Sequence, residues 1–595
     1  MSAKYSDQFM DWLKSDGYTT CFFVGGGNVM HLLESASRRF NCIPVVHEVA
    51  AGIAAEYFNE NNRFGERAFA LVTAGPGLTN IVTAIGGAFL ESRELLVVGG
   101  QAKVADLAHG RVPQIGHQEI DGVGIVEKIT VAAIQADRRL TKEEVLNLTA
   151  RSRKARKGPV FIEMCIDVSA MPKLEDSDFN VSHVIDAENP SIEDINLIQK
   201  IWSEAERPLV LIGGGFDRNR GKELLEKLKN LNTVLATTWN GFDRVESDYF
   251  YYAGRPNTYG MRWSNIAIQS SDFVLALGTR LGIQQVGFAW EDFVPNGKII
   301  QVDIDKEELN KGFPEIYNGV ASDAVAVLSN VLKNWSPSSK SEWLDFIVEI
   351  RKKFDFPDPA NVAKEEFIEL HKFIFELGNY LQPTDVIVPC SSGGTFNAVM
   401  QMFKQKSGQL ITTNKSLASM GYGLAGAIGA SVANPDTRII LMEGDGGFAQ
   451  NLQELGTVSV QKLPIKIFLT SNKGYASIRT TQKSYFNGNY VGCDRETGLG
   501  LPNWENIAKA FDISSMVVNK TNLWNSEMIS NMESNQPFLF IVELDPEQMY
   551  FPKVTSRVLA DGSMKTNPIH LMSPNLEQSV AEKAYRFIPR DKWDF

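Results

Sequence analysis

The chain has 595 residues, 44% of them hydrophobic, enough apolar material for several cores and three or four domains. Its net charge of −12, with both signs interspersed, gives no basic footprint for nucleic acid, and no apolar run approaches a membrane span. The five cysteines (Cys21, Cys42, Cys165, Cys390 and Cys493) lie far apart, neither a disulfide framework nor a close metal cluster, as expected in a reducing, cytoplasmic setting.

Residues 1–185 alternate helices with short apolar strands. The segment from Met1 opens amphipathic rather than as a signal core. Cys21–Val24 enters Gly25-Gly26-Gly27 and Asn28, Phe69–Val72 enters Gly75-Pro76-Gly77, and Leu95–Val98 enters Gly99-Gly100. Continuous apolar strands with helices between them predict a parallel sheet covered on both faces. His47–Glu56 has the pattern of a helix, with Glu48, Ala51, Gly52 and Ala55 on one face. A glutamate among such small side chains admits two readings. It is a desolvated carboxyl with a raised pKa suited to proton transfer, or a helix-start carboxylate engaged with its own backbone. Gln101, His117 and Gln118 are polar residues near predicted strand or loop ends, each individually more typical of structure than of catalysis. Arg151–Lys157 has the character of solvated surface.

A polar stretch, Pro172–Pro190, is expected to be a linker. The α/β pattern resumes over 191–337, from Pro208–Ile212 with Gly213-Gly214-Gly215 to Val302–Asp305, and a helix is predicted from about Lys340. That glycine turn lacks a full dinucleotide fingerprint. The polar break Asp355–Pro359 precedes a third α/β unit over 365–550, and the tail 551–595, rich in turn formers, is expected to wrap another domain. The first and third units are candidates for similar structure at low sequence identity.

The third unit holds the most informative motif. Arg438–Met442 enters Glu443-Gly444-Asp445-Gly446-Gly447, and Ile465–Leu469 delivers Asn472, 27 residues after Asp445. A helix is expected between them, from about Phe448 to Val460. Both polar side chains then sit past the C-terminal ends of parallel strands, where open sheets bind ligands. A carboxylate, an amide oxygen and a backbone carbonyl near Gly474 suit magnesium, which shares its shell with phosphate oxygens and water. Gly446 and Gly447 allow an anion to approach the backbone, and the following helix start favours negative charge. The alternative is an ordinary corner with Asp445 as a helix cap. Ser391-Ser392-Gly393-Gly394-Thr395, after Asp385–Val388, is a second candidate for phosphate contacts.

On Gly444-Asp445-Gly446 with Asn472, Glu48, Gly75-Pro76-Gly77 and Gly421-Tyr422-Gly423-Leu424, the chain resembles the thiamine-diphosphate enzymes of the acetolactate synthase and pyruvate oxidase superfamily. The resemblance covers nearly the whole length and implies three doubly wound parallel-sheet α/β domains: pyrimidine-binding, central and diphosphate-binding. It implies that Glu48 hydrogen-bonds the aminopyrimidine of thiamine diphosphate, that the Ala418 carbonyl accepts from its exocyclic amine, and that Met420 bends it into a V shape. Mg2+ is implied on Asp445, Asn472 and the Gly474 carbonyl. Pro76, Asn80, Ser391, Gly393, Gly394, Thr395, Gly444, Gly446, Gly447 and Tyr475 are the other cofactor contacts it implies. Gly26, Asn28, His117 and Gln118 fall beside the reacting groups. Glu48 and Asp445 belong to facing subunits in that family, so a homodimer is the implied minimum, with a homotetramer as the alternative.

Arg111–Ile120, Gly474–Gln482, Phe486–Gly488 with Tyr490–Asp494, and Pro552–Arg557 are similar to acetolactate-synthase-like proteins of sugar and secondary-metabolite pathways. Characterised relatives there join a pyruvate-derived two-carbon unit to the ketone of a nucleotide-linked sugar. His117 and Thr481 stand where acetolactate synthase proper has phenylalanine and tryptophan, which favours a larger or more polar acceptor. The implied activity is decarboxylation of a 2-keto acid, pyruvate foremost, and transfer of the two-carbon unit to a ketone or aldehyde. Acetolactate synthase proper, and a lyase or hydrolase without decarboxylation, are the alternatives. Family members that carry FAD contact it at positions matching Gly278-Thr279-Arg280 and Ile304-Asp305, and other members leave this domain empty or bind other nucleotides, so FAD is left open.

Overall fold

Three parallel sheets organise the computed structural model, which describes residues 4–154, 156–175, 189–558 and 561–593. The first contains β1 (Tyr18–Phe23), β2 (Asn41–Pro44), β3 (Arg67–Val72), β4 (Leu95–Gln101), β5 (Ala132–Ala136) and β6 (Pro159–Cys165). The second contains β7 (Pro208–Ile212), β8 (Leu235–Thr237), β9 (Phe273–Leu277), β10 (Lys298–Asp303) and β11 (Asn318–Ala321). The third contains β12 (Val386–Pro389), β13 (Leu410–Ile411), β14 (Ile439–Gly444), β15 (Ile465–Ser471), β16 (Ser514–Val518) and β17 (Phe538–Glu543). Within each, the central strands are almost wholly apolar and buried, as sheets covered by helices on both faces require.

The first sheet has the order β2-β1-β3-β4-β6-β5 and the third β13-β12-β14-β15-β17-β16, the same order when each is counted from its own first strand. Each changes winding direction between its first and third strands, so a crevice opens between β1 and β3 and another between β12 and β14. The central sheet, β11-β10-β9-β7-β8, changes direction between β7 and β9.

By their contacts the described residues group into two compact units, one of them holding two of the three sheets. One comprises those of Met1–Asp186, Thr384–Phe396 and Leu410–Pro546, and so holds both outer sheets. Its halves meet where the helix Glu48–Asn61 packs on the helix Tyr422–Ala433. Small residues set that approach: a methyl on Gly429 would lie 2.1 Å from the Ala54 carbonyl oxygen. Glu56 is buried in the seam and accepts hydrogen bonds from Arg93 at 2.8 Å, Asn414 at 3.1 Å and Tyr422 at 3.1 Å. Three donors meet the needs of a carboxylate that burial alone would neutralise.

The second unit comprises Ala187–Pro383, Asn397–Gln409 and Glu547–Phe595, described residues only. Here the chain's last segment packs against the helix Arg262–Ser270, where Asn265 donates to the Ile569 carbonyl at 2.8 Å and Arg262 to the Pro574 carbonyl at 2.8 Å.

Several local expectations change. Gly99 and Gly100 continue β4 instead of turning, because they pair with Glu163 and Met164 of β6, and they are glycine because Phe161 and the Asn28 carbonyl occupy the space side chains would need. The helix expected from Phe448 to Val460 is broken: a turn of helix runs Asp445–Phe448, and helix resumes at Leu455–Val460. Between them Asn451 leaves helical geometry and donates to the Gly421 carbonyl at 2.7 Å. Cys21 and Cys42, distant in sequence, are direct partners across β1 and β2, both as free thiols. Arg153 is not simply solvated, since it pairs with both carboxylate oxygens of Asp16 at 2.6 and 2.7 Å. Residues 176–188 of the expected linker lie outside the described residues. Among the described residues no helix is long and apolar enough to cross a membrane.

Candidate active site

Asp445 begins its helical turn directly after β14, and its carboxylate is buried. Oδ1 accepts the Gly446 N–H at 2.8 Å. Oδ2 accepts the Asn472 N–H at 3.1 Å, the Gly474 N–H at 3.3 Å and the Ser471 hydroxyl at 3.3 Å. The end of β15 is thereby folded over the end of β14. Burial pushes the Asp445 carboxyl up to about 6, against the lowering pull of the surrounding backbone N–H groups.

Gly446 has a steric reason. A Cβ there would enter the Tyr475 ring at 2.4 Å, while the Gly474 carbonyl oxygen stands 3.8 Å from the same point. The loop itself takes two positive φ values in succession, 62° at Lys473 and 136° at Gly474. Gly474 also packs on Cys493, whose carbonyl accepts the Tyr475 N–H at 2.8 Å. Among the described residues no cluster of three or more His, Cys, Asp or Glu could hold a metal alone. One carboxylate, one amide and one carbonyl therefore suit a hard cation that takes its other ligands from phosphate and water.

Across the crevice, β12 leads to Ser391, Ser392 and the helix Gly393–Met402. The Thr395 hydroxyl meets that of Thr470, which also donates to the Glu443 carbonyl at 3.1 Å, joining three strand ends. A Cβ on Gly444 would lie 3.5 Å from the Thr395 hydroxyl, whereas Gly393, at φ of 85°, has open space beside it. Ser391 donates to the Ser419 carbonyl, and Gln450 approaches the Met420 sulfur at 3.7 Å. These contacts fix the turn 418–421, in which Ala418 takes φ of 55° and Gly421 of 83°. Met420 remains 37% exposed at the tip, available to a ligand.

The first sheet supplies a second cluster. Glu48 opens its helix after the His47 cap, is 8% exposed, and accepts from the Asn80 amide at 2.9 Å. Asn80 lies on the helix Pro76–Glu91, whose first residue is Pro76. Gly52, on the face of Glu48, abuts Ala84 and Ile81 of that helix. The loop carrying His117 and Gln118 spans the β1–β3 crevice: Asn28 donates to the His117 carbonyl at 3.2 Å, and the Gln118 carbonyl presses on Gly75. Gly26 has no room for a Cβ beside Thr73. The His117 side chain is exposed and that of Gln118 half-buried. Gln101 instead turns inward, donating to the Ile120 carbonyl at 2.8 Å.

Glu454, from the third sheet's half of the unit, accepts the N–H groups of Val46 at 3.2 Å and His47 at 3.0 Å just before Glu48. Within one chain, the hydrogen-bond partners of Glu48 and of Asp445 form separate sets.

Sequence reasoning gave no role to three contributors. Ser471 and Arg479 hold the loop 471–475, and Glu443 points from β14 toward the N–H groups of Gly423 and Leu424, with its carboxyl pushed up by burial to about 8. A buried charged residue inside a glycine-rich motif was the available signal for Glu443. In the central sheet, Gly213 and Gly215 pack directly on Gly278, so that turn's glycines are accounted for by the fold.

Buried carboxylate, strained glycine loop and switch-point crevices lie together at strand ends of an α/β fold, where open parallel sheets bind ligands. Family models match in the same order: thiamine pyrophosphate enzyme, N-terminal TPP binding domain, over residues 3–125; its central domain over 195–331; and its C-terminal TPP binding domain over 392–542. The chain belongs to the thiamine-diphosphate-dependent enzymes of the acetolactate synthase type. It is 26% identical over 559 residues to the acetolactate synthase isozyme 2 large subunit of Escherichia coli (strain K12), covering 91% of this chain and 96% of that protein. To the acetolactate synthase large subunit of Porphyra purpurea it is 28% identical over 526 residues, 86% of each chain. A probable acetolactate synthase large subunit of Methanocaldococcus jannaschii is 27% identical over 570 residues, 92% of each.

Proposed function

We propose that the protein decarboxylates a 2-keto acid, pyruvate foremost, and transfers the remaining two-carbon unit to a ketone or aldehyde acceptor. The observation that carries this reading is the Asp445–Asn472–Gly474 cradle, supported by the buried Glu48–Asn80 pair in the same unit. The residues present fit thiamine diphosphate with Mg2+. Asp445, Asn472 and the Gly474 carbonyl would hold the metal, with Ser391, Gly393, Gly394, Thr395, Gly444, Gly447 and Tyr475 around the diphosphate. Ala418, Met420, Pro76 and Asn80 would contact the rings. When bound, the cofactor supplies an electron sink that lets the keto acid lose carbon dioxide and pass its acyl unit onward.

The chain's own residues do the rest. Glu48, 8% exposed, would hold the pyrimidine ring of the bound cofactor and its carboxyl would give or take a proton there, where water has little access. Gly26, Asn28, His117 and Gln118 orient the reacting carbonyls and donate to negative charge developing on oxygen. Glu48 and Asp445 act from facing subunits, which makes the active unit a homodimer.

His117 and Thr481 favour an acceptor with hydrogen-bonding groups, a keto-sugar nucleotide among the candidates, over a second molecule of pyruvate. Incubation with labelled pyruvate, with and without keto-sugar nucleotides, tests the reading. The expected result is labelled carbon dioxide together with a labelled adduct that requires the acceptor. Acetolactate formed from pyruvate alone would assign the protein to acetolactate synthase proper, and absence of both products would overturn the donor.

A further inference from the structure

Arg479 lies on the helix Ala476–Tyr485, five residues beyond Gly474, and is 5% exposed. Its guanidinium is spent on backbone carbonyls. Nη1 donates to Lys473 at 3.1 Å, and Nη2 donates to Asn472 at 2.5 Å and to Pro546 at 3.1 Å. Nε is buried without an acceptor, and the side chain's nearby acid, Asp494, whose carboxyl its charge helps lower, makes no hydrogen bond to it. A buried cation held this way is a poor device for stability, since desolvating it is unfavourable and one donor is wasted.

Its geometry has a local consequence. The carbonyls of Asn472 and Lys473 both turn toward the guanidinium. The two peptide units are thereby rotated so that their N–H groups, those of Lys473 and Gly474, face the Asp445 carboxylate. Lys473 at φ of 62° is a left-handed conformation that disfavours a side-chain-bearing residue by about 1–2 kcal/mol, so something must hold it. The contact with Pro546 anchors the same guanidinium to the segment following β17.

We propose that Arg479 is a positioning residue for the metal-binding loop, holding the peptides of Asn472 and Lys473 in the strained orientation that presents Asn472 and the Gly474 carbonyl to Mg2+–thiamine diphosphate. The role rests on the cofactor reading above. A rigid planar fork serves three carbonyls at once, whereas lysine places one ammonium and cannot.

The test uses the full-length protein and its Arg479→Lys and Arg479→Ala variants. Hydrogen exchange of residues 470–476 is measured without ligand, and Mn2+ affinity is measured by paramagnetic resonance with thiamine diphosphate present. The expected result for Arg479→Lys is faster exchange confined to this loop and Mn2+ binding weakened about 10–100-fold, as for other residues that orient metal ligands. Arg479→Ala is expected to match or exceed both effects. If it does not fold, the lysine variant decides. Wild-type exchange and Mn2+ affinity in Arg479→Lys overturn the proposal, as does faster exchange spread evenly over the third sheet, which would assign the residue to general stability. A wild-type protein that binds no Mn2+ with the cofactor would overturn the cofactor reading instead, while the exchange arm still judges the clamp.

Discussion

The Asn80 amide donates to Glu48 at 2.9 Å, so the buried carboxyl at the start of one helix is oriented by the first turns of the next. Glu48→Gln keeps the volume and removes the ionisable group. Decarboxylation turnover is expected to fall about 10²–10⁴-fold with little change in cofactor affinity. Steady-state kinetics beside calorimetric titration of thiamine diphosphate measure the two quantities. A variant that holds its cofactor and keeps full turnover would remove Glu48 from the proton-transfer step.

Asp445→Asn separates affinity from folding. The neutral amide relieves the burial penalty behind a carboxyl pushed up to about 6, but its NH2 must face a donor such as the Gly446 N–H. These effects oppose, so apo-protein stability is expected to change by no more than about 1 kcal/mol. Metal-dependent binding of thiamine diphosphate should be lost, as it should in the wild type after chelation. Urea unfolding and calorimetry with and without Mg2+ give both readouts.

The two units are expected to answer pH in opposite ways. Glu163, in β6 of the first unit, is pushed up to about 7 by burial beneath Gly122, with Gln135 donating to it at 3.1 Å. A carboxyl whose folded pKa is raised stabilises fully below its unfolded value, and that contribution is lost as pH rises through 4.5 to about 7. The loss is about 3 kcal/mol at 1.36 kcal/mol per unit. His570, in the second unit, is driven down to about 4 by burial, so it stabilises above 6.5 and loses that contribution as pH falls toward 4. Hydrogen exchange across pH 4.5–8 should show protection declining in β6 and rising around Ile569–Met572. Glu163→Gln should flatten the first trend without touching the second.

Gly429→Ala tests the seam between the outer sheets. Its methyl would sit 2.1 Å from the Ala54 carbonyl oxygen, closer than any contact permits. The helices must separate, at about 1–3 kcal/mol by urea unfolding. An unchanged midpoint would mean that the helices do not meet as described.

What the sequence revealed follows from what side chains encode. Apolar runs ending in glycine placed the strands and their switch-point turns, and Asp445 and Asn472 were visible because each follows such a run. The helix of Glu48 was visible by another route, the alanine and glycine that share its face at helical spacing. The clamp by Arg479 was not, because its acceptors are backbone carbonyls, which leave no trace in residue identity. Nor was the break after Phe448: Ala449, Gln450 and Asn451 tolerate a helix, and only the distant Gly421 carbonyl draws Asn451 out of it. The pairing of Cys21 with Cys42 needed the register of β1 on β2. The merging of the outer sheets into one unit depended on Gly426 and Gly429 meeting Tyr57 and Ala54, a contact between segments more than three hundred residues apart in the chain.

The repeated strand order has a consequence for biogenesis. Two frameworks with the same winding, bound for one unit, could exchange strands while still nascent. The block Ala187–Pro383 stands between them in the chain, and at 5–20 residues per second it gives the leading framework a head start of about 10–40 s before its twin leaves the ribosome. Intervening length thus acts as a timer that lets the earlier sheet close before a competitor exists.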